Sequence, residues 1–348
     1  YRSVGTVSFL GRYAIIDFVL SNLSNSGIDN VGILIQEKPR SLFEYLGNDS
    51  TWNFNTKAGG ISLLYNEKYN YHGKYNHDIH NLIENIEFLK TTSSDYVIMA
   101  PAHIITTMDY SKVIEQHEKT GAQVTMVYTP VTNANDAYYG EQVLTIKQDM
   151  VTNLKPNKGA KNTANISLET YVFNTKTLLQ VVRYASKISG FFTMKDVLAY
   201  VCDEKQIRAY KYTGYARCID SIKAYYEYSL ELLDMDLYAK VFNSRWPIYA
   251  VTNDTPPTKY LKHAVVKKSV LANGAIINGT VENSIIGREV IIGKDAYVKN
   301  CIILAGAKIA PNAHLENVIV ETNARIEKKI ELSGDYNQPL YINEGDIV

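Results

Sequence analysis

Apolar residues recur at helical spacing in Ile15, Phe18, Val19 and Leu23, and the pattern stops at Asn25-Ser26-Gly27, which predicts a helix over 15–26. The apolar run at 31–35 follows as a buried strand. Leu82, Ile83, Ile86 and Leu89 repeat at three and four and predict a second helix, followed by a buried strand at 95–100. A helix at 110–120 stopped by Gly121, strands at 123–128 and 171–173, and an aromatic-rich helix at 222–233 continue the alternation. Alternation of this kind predicts an α/β domain, Rossmann-like, with a mostly parallel sheet covered by helices on both faces.

From Ile285 the pattern changes. An aliphatic or aromatic residue returns at every sixth position, Ile285, Ile291, Tyr297, Ile303, Ile309 and Leu315, with small residues between them. Neither a helix nor a half-buried strand repeats at six. The period predicts a parallel β-helix in which each hexad is a short strand and turn, and three hexads close one coil. A β-sandwich would space its strands about 8–12 residues apart. Gly274, Gly279, Gly287, Gly293 and Gly306 fall where corners need positive φ or a missing side chain. The paired prolines Pro256-Pro257 mark a connector. The expected organisation is an α/β domain over 1–242, a junction over 243–263 and the β-helix over 264–348.

Composition changes this picture little. A chain of 348 residues with 46% hydrophobic content can support two cores. Lys plus Arg and Asp plus Glu both number 36, so no global field favours nucleic acid or an anionic membrane. Cys202, Cys218 and Cys301 are widely separated, which fits reduced thiols and a cytoplasmic setting. No apolar run reaches the ~18 residues of a membrane span, and the first residues do not resemble a signal peptide. An α/β domain commonly opens on a buried strand, whereas the first patterned segment here is a helix, so a first strand and loop are expected to lie outside this chain.

In an open α/β sheet, ligands bind beyond the carboxyl ends of the strands. After the strand at 95–100 comes Pro101-Ala102-His103, a turn with no carboxylate and no Gly-rich phosphate cradle. His72, His77 and His80 have ligand-like spacing but read as solvated residues of a polar loop. His103 reads as a structural hydrogen-bonding residue and Cys218 as a buried thiol. Arg12, Lys155, Lys195 and Arg217 are candidates to bind a phosphorylated metabolite, against the plain reading of surface cations. The tyrosine clusters over 65–75 and at Tyr225, Tyr226 and Tyr228 read as packing and subunit-interface residues.

Several ordered motifs resemble one family. Phe9-Leu10-Gly11-Arg12-Tyr13, Ile16-Asp17-Phe18, Leu20-Ser21-Asn22 and Asn25-Ser26-Gly27-Ile28 are similar to the F-G-G-x-Y-R-x-I-D-F-x-L-S-N-x-x-N-S-G-I stretch of bacterial glucose-1-phosphate adenylyltransferases, the ADP-glucose pyrophosphorylases. Tyr171-Val172-Phe173, Lys195-Asp196, the run from Tyr215 to Tyr226, Trp246-Pro247-Ile248 and Pro256-Pro257-Thr258-Lys259-Tyr260 resemble later motifs, and the hexads resemble that family's left-handed β-helix. The resemblance implies transfer of an adenylyl group from ATP to glucose 1-phosphate, with Mg²⁺ held on two carboxylates.

At the positions matching those carboxylates stand Ala102 and Cys218, and Val4 matches a phosphate-binding lysine. Lys155 keeps the sugar-phosphate lysine but follows Leu154 in place of Glu. Of a further nucleotide-site motif only Asp78 remains, and Glu169 replaces a glycine of the sugar site. These departures resemble the non-catalytic, regulatory type of subunit. The expectation is a chain that holds no metal and does not turn over alone. It would pair with a catalytic homologous subunit that carries Mg²⁺, in a heterotetramer, and answer to a phosphorylated effector. Two alternatives remain: an active enzyme with Asp78 or Asp220 as metal ligands, and a stand-alone sugar-phosphate or nucleotide sensor. Tyr297 is a candidate contact on the solenoid surface.

Overall fold

A computed structural model describes residues 3–36, 39–47, 49–57, 59–65, 77–188, 190–191, 193–202, 204–327 and 331–348. The chain forms two compact units. One takes the residues up to Thr6 together with Ile16–Cys218, and the other takes Val7–Ile15 with Ile219–Val348. This division differs from the expected boundary near 242. Helix Ile222–Glu231 packs within the second unit, where the Tyr226 hydroxyl donates to the Asn300 carbonyl at 2.6 Å and the Tyr225 hydroxyl to the Ser8 carbonyl at 2.7 Å. Tyr225, Tyr226 and Tyr228 are all buried within that unit.

The first unit is built on a six-stranded sheet in the order Tyr96–Met99, Ala164–Asn174, Val124–Val131, Ile207–Lys211, Met150–Pro156, Gln142–Lys147. Here the expectation of a mostly parallel sheet needs correction. Only Val124–Val131 with Ile207–Lys211 pairs parallel in this sheet; its other described pairings are antiparallel, and Asn30–Leu34 and Gly60–Leu64 form a separate parallel pair. The reason is physical. A buried strand reads as an apolar run whichever way it points, so hydrophobicity identifies the strand and leaves its direction open.

The segment expected as one helix near 82–89 is two, Asp78–Glu84 and Ile86–Thr91, broken at Asn85, whose side-chain amide donates to the Asn81 carbonyl at 2.9 Å. A side chain that offers the backbone a local hydrogen bond competes with the helix ladder. Asp17, fully buried, accepts from the Tyr45 hydroxyl at 2.7 Å and Trp52 Nε1 at 3.0 Å, which is how a carboxylate is tolerated in this core.

The second unit carries three five-stranded parallel sheets whose strands alternate along the chain, the arrangement of a parallel β-helix beginning at Lys259–Tyr260. Successive strands of one face pair Ile276 with Ile291, Ile291 with Lys308 and Lys308 with Arg325. The later coils therefore repeat at 17 residues, as the stacking of Asn283 on Asn300 also shows. Three full hexads would be one residue longer, so one side of each coil is a five-residue step.

That shortfall sets the phase of the six-residue series against the core. The solenoid core is filled by Ile286, Ile292, Val298, Ile303, Ile309 and Leu315, so the six-residue series runs one position ahead of the core residues before the short step and coincides with them after it. Ile291 and Tyr297 are half-buried on the outside, Tyr297 stacked on His314 with ring centroids 4.8 Å apart. Among the glycines both expected reasons occur: Gly274 and Gly306 take positive φ, whereas at Gly293 an added Cβ would lie 2.5 Å from the Pro311 nitrogen of the next coil.

One corner of the coils is an asparagine ladder. Asn283, Asn300 and Asn317 take φ of 46°, 50° and 55°, and each side-chain amide donates upward, Asn283 to Asn300 at 2.8 Å, Asn300 to Asn317 at 3.0 Å and Asn317 to the Gly334 carbonyl at 3.0 Å. Asparagine suits this place because it tolerates the left-handed region and carries both donor and acceptor. Asn300→Ala removes two rungs and leaves a Cβ at positive φ, so a loss of about 2–3 kcal/mol is expected in urea denaturation, with Asn300→Gly losing about 1 kcal/mol less.

Candidate functional site

A cluster of charged side chains gathers in the first unit, and the strand pairings explain how. Ala216–Cys218 runs antiparallel to Ile104–Thr106 with Cys218 opposite Ile104, which places the thiol beside the residue that follows His103. Glu141 immediately precedes strand Gln142–Lys147, whose Val143 pairs with Ile166 of the long strand Ala164–Asn174. That long strand is irregular between Ser167 and Tyr171, and within the irregularity Glu169 takes φ of 47°. Lys195 lies in the first turn of helix Met194–Val201, whose start is fixed by a reciprocal cap between Thr193 and Asp196.

Glu141 is the hub. Its Oε1 lies 3.2 Å from His103 Nε2, 3.9 Å from Lys195 Nζ and 4.0 Å from Cys218 Sγ. Lys195 Nζ is 2.7 Å from Glu169 Oε1. Asp78, at the edge of the group, accepts from the Gln36 amide and from the Met194 backbone N–H at 3.4 Å. Glu141 is 4% exposed and Cys218 1%, so the hub sits largely out of water.

Burial in such company splits the two glutamates. Desolvation, reinforced by the Glu141 charge, pushes Glu169 from its ordinary 4.5 up to about 7. Glu141 is also penalised by burial, but hydrogen bonds from His103 and Glu169 and the charges of His103 and Lys195 outweigh this and hold it below the usual range. Burial pulls His103 and Lys195 down, and their carboxylate partners more than reverse it, so both lie above their ordinary values. Burial raises Asp78. At neutral pH Glu141 is therefore the ionised acid of the pair, Glu169 is partly protonated, and the two cations are engaged by carboxylates inside the cluster.

Of the residues singled out from sequence, Asp78, Glu169, Lys195, Cys218 and His103 come together here. Lys155 is exposed on Met150–Pro156. The Arg217 guanidinium lies 4.9 Å over the Tyr215 ring and donates to the Ala216 carbonyl at 3.0 Å. Arg12 and Asp220 belong to the other compact unit, Arg12 lying 5.6 Å from the Tyr13 ring centre, and both are exposed. Val4 lies in a single 3₁₀ turn and is exposed. His77 caps helix Asp78–Glu84 by accepting from the His80 N–H at 3.3 Å, and His80 pairs with Glu84 at 3.8 Å; His72 and the tyrosine cluster beyond Tyr65 lie outside the described residues. Glu141 was not among the candidates, since nothing in its spacing separates it from other acids. The one signal in the sequence was its place between Gly140 and the alternating run at 142–147.

Comparison with known proteins now bears on this geometry. Residues 3–234 match the nucleotidyl transferase family model, and residues 256–339 match the GlmU-like C-terminal hexapeptide model. The glycogen biosynthesis protein GlgD of Bacillus subtilis (strain 168) is 31% identical over 99% of this chain and 90% of its own length. The chain belongs to the glucose-1-phosphate adenylyltransferase family and is of the GlgD-like type. A glucose-1-phosphate adenylyltransferase of Clostridium perfringens (strain 13 / Type A) is 31% identical over 87% of the chain and 78% of its own length. Another, from Bacillus thuringiensis (strain Al Hakam), is 30% identical over 92% and 86%.

For a member of this family the fit of Mg²⁺ matters, and the residues present do not suit it. A hard cation wants several oxygens. At Ala102 the chain offers a methyl group packed toward Gly5, where an added Cβ would lie 3.6 Å away. Cys218 offers sulfur, His103 nitrogen, and among the described residues Glu141 alone brings a carboxylate close to both.

The ionisation of the pair gives a stability test. Glu141, His103 and Lys195 face Glu169. Between 4.5 and about 7 the native chain keeps a proton on Glu169 that the unfolded chain has lost, so stability falls as pH rises through that window. Glu169→Gln holds this position neutral at every pH. In chelator-treated protein it is expected to stabilise by about 1–2 kcal/mol at pH 8, after loss of the Lys195 pair, and to change little near pH 4.5. Thermal unfolding across pH reads the difference.

Proposed function

We propose that this chain is a regulatory subunit of glucose-1-phosphate adenylyltransferase in glycogen synthesis, itself without turnover, acting in the cytoplasm. It assembles with a catalytic homologue, as a heterotetramer, and the partner supplies the Mg²⁺ site. The observation that carries this reading is the closed charge balance of the cluster: Glu141 and Glu169 already engage Lys195 and His103. A triphosphate needs unpaired cations and a metal clamp where negative charge develops. Metal assistance is worth several kcal/mol and each ~1.4 kcal/mol is tenfold in rate, so its loss removes several orders of magnitude.

A subunit that keeps the fold of an adenylyltransferase without its metal ligands retains the means to pair with a homologue and to transmit the state of a bound phosphorylated effector. Mixing the chain with its catalytic homologue is expected to give a joint peak in size-exclusion chromatography and to shift the partner's KM or effector response severalfold. Separate elution, with partner kinetics unchanged, contradicts the proposal.

A further inference from the structure

We propose that His103, Glu141 and Cys218 form a binding site for a soft or borderline divalent cation, with zinc the best match. Nothing in the regulatory reading requires such a site, and the proposal stands or falls apart from it. His103 Nε2, Glu141 Oε1 and Cys218 Sγ all lie within 4.8 Å of one another, the first two 3.2 Å apart and the last two 4.0 Å. Around tetrahedral zinc, bonds of about 2.0 Å to nitrogen and oxygen and 2.3 Å to sulfur place neighbouring ligand atoms roughly 3.3–3.7 Å apart. Small side-chain movements suffice to close the set.

The backbone already holds the ligands in place. Cys218 and the residue after His103 are register partners in the Ile104–Thr106 and Ala216–Cys218 pair, and Glu141 sits at the head of a strand of the main sheet. A bound ion would staple three segments distant in sequence. Glu141 and Cys218 are almost completely buried, and among the described residues the second oxygen of Glu141 has no cation of its own beside the shared contacts to His103 and Lys195. A buried carboxylate is costly to keep ionised, and a bound cation offsets that cost directly. Sulfur and imidazole select zinc or cobalt over magnesium. The other charged groups facing the set, Lys195 and Glu169, pair with each other at 2.7 Å, so the ammonium charge is partly offset. Binding would displace a proton from the Cys218 thiol and any proton on His103 to solvent, with no redox change. The sequence points to no metal here because Ala102 and Cys218, at the positions matching the family's carboxylates, offer no oxygen ligand.

The test uses the full chain after chelator treatment. Titration with Co²⁺ is expected to develop a near-ultraviolet thiolate-to-cobalt charge-transfer band that saturates at one equivalent, and Zn²⁺ is expected to displace the cobalt and raise the melting temperature. Cys218→Ser should abolish the band, and His103→Asn should weaken cobalt binding at least about tenfold, the outer-shell and ligand sensitivity usual for metal sites. Cys202→Ser and Cys301→Ser should leave both readouts unchanged. The wild-type spectrum alone keeps the test valid if a variant fails to fold. Absence of a thiolate band in the wild-type chain, a band that survives Cys218→Ser in folded protein, or binding lost only with His77 and His80 overturns the proposal.

Discussion

Cys218→Asp is expected to destabilise the chain by about 3–5 kcal/mol at pH 8 in metal-free buffer, the usual cost of an uncompensated buried charge. Residue 218 is 1% exposed, and its sulfur lies 4.0 Å from Glu141 Oε1. A carboxylate there would face an ionised carboxylate, and the two cations of the cluster are already engaged, His103 by Glu141 and Lys195 by Glu169. Protonation is the escape, so the loss should shrink as pH falls toward 5. Added Mg²⁺ should recover part of it, since the variant supplies the second oxygen ligand that a hard cation wants, and binding to the native state alone stabilises it by mass action. Cys218→Ser, similar in size and neutral, is expected to cost about 1 kcal/mol by comparison. Urea denaturation of the three chains, with and without Mg²⁺, separates these effects. Equal stability of wild type and Cys218→Asp would mean that the cluster is not charge-closed.

Much of the architecture was legible because it depends on periodicity. The hexads of the solenoid and the helix signals at Ser26-Gly27 and Gly121 follow directly from spacing and chain stiffness. What was lost is equally physical. A coil of 17 residues shifts the phase of a six-residue series by one, so Ile291 and Tyr297 lie outside the core that Ile292 and Val298 fill, whereas Ile303 and Ile309 lie within it. Strand direction leaves no mark on a buried apolar run, and so the antiparallel course of Ala164–Asn174 beside Val124–Val131 could not be read. The compact units also cross the expected boundary, because the aromatic helix Ile222–Glu231 spends its tyrosines on the second unit.

The candidate site divides in the same way. Ala102 and Cys218 stood out only through family resemblance, as missing carboxylates. Glu169 stood out as a bulky acid in place of glycine, and it does occupy a left-handed backbone position within a strand irregularity, which glycine would take without strain. Its pairing with Lys195 depends on three-dimensional approach across segments and has no local signature. Glu141, the hub, is a single acid before a strand, and its role comes wholly from the pairings that bring Ile166 to Val143 and Cys218 to Ile104.

The second large effect is kinetic. On the proposed reading, Ala102 and Cys218 stand where the family resemblance implies metal carboxylates and Lys195 is engaged by Glu169, so the isolated chain is expected to lack the groups that stabilise a transferring adenylyl centre. Mutation of Glu169 to Gly alone should not restore turnover, since it frees Lys195 without supplying a metal ligand. The most direct measurement is therefore pyrophosphate release from ATP and glucose 1-phosphate in Mg²⁺ by the purified chain alone, beside the Clostridium perfringens glucose-1-phosphate adenylyltransferase under the same conditions. A rate at least about 1,000-fold below that enzyme, the scale set by several kcal/mol of lost metal stabilisation, is the expected result. A turnover number of the same order as that enzyme's would contradict the proposal that this cluster is closed to catalysis.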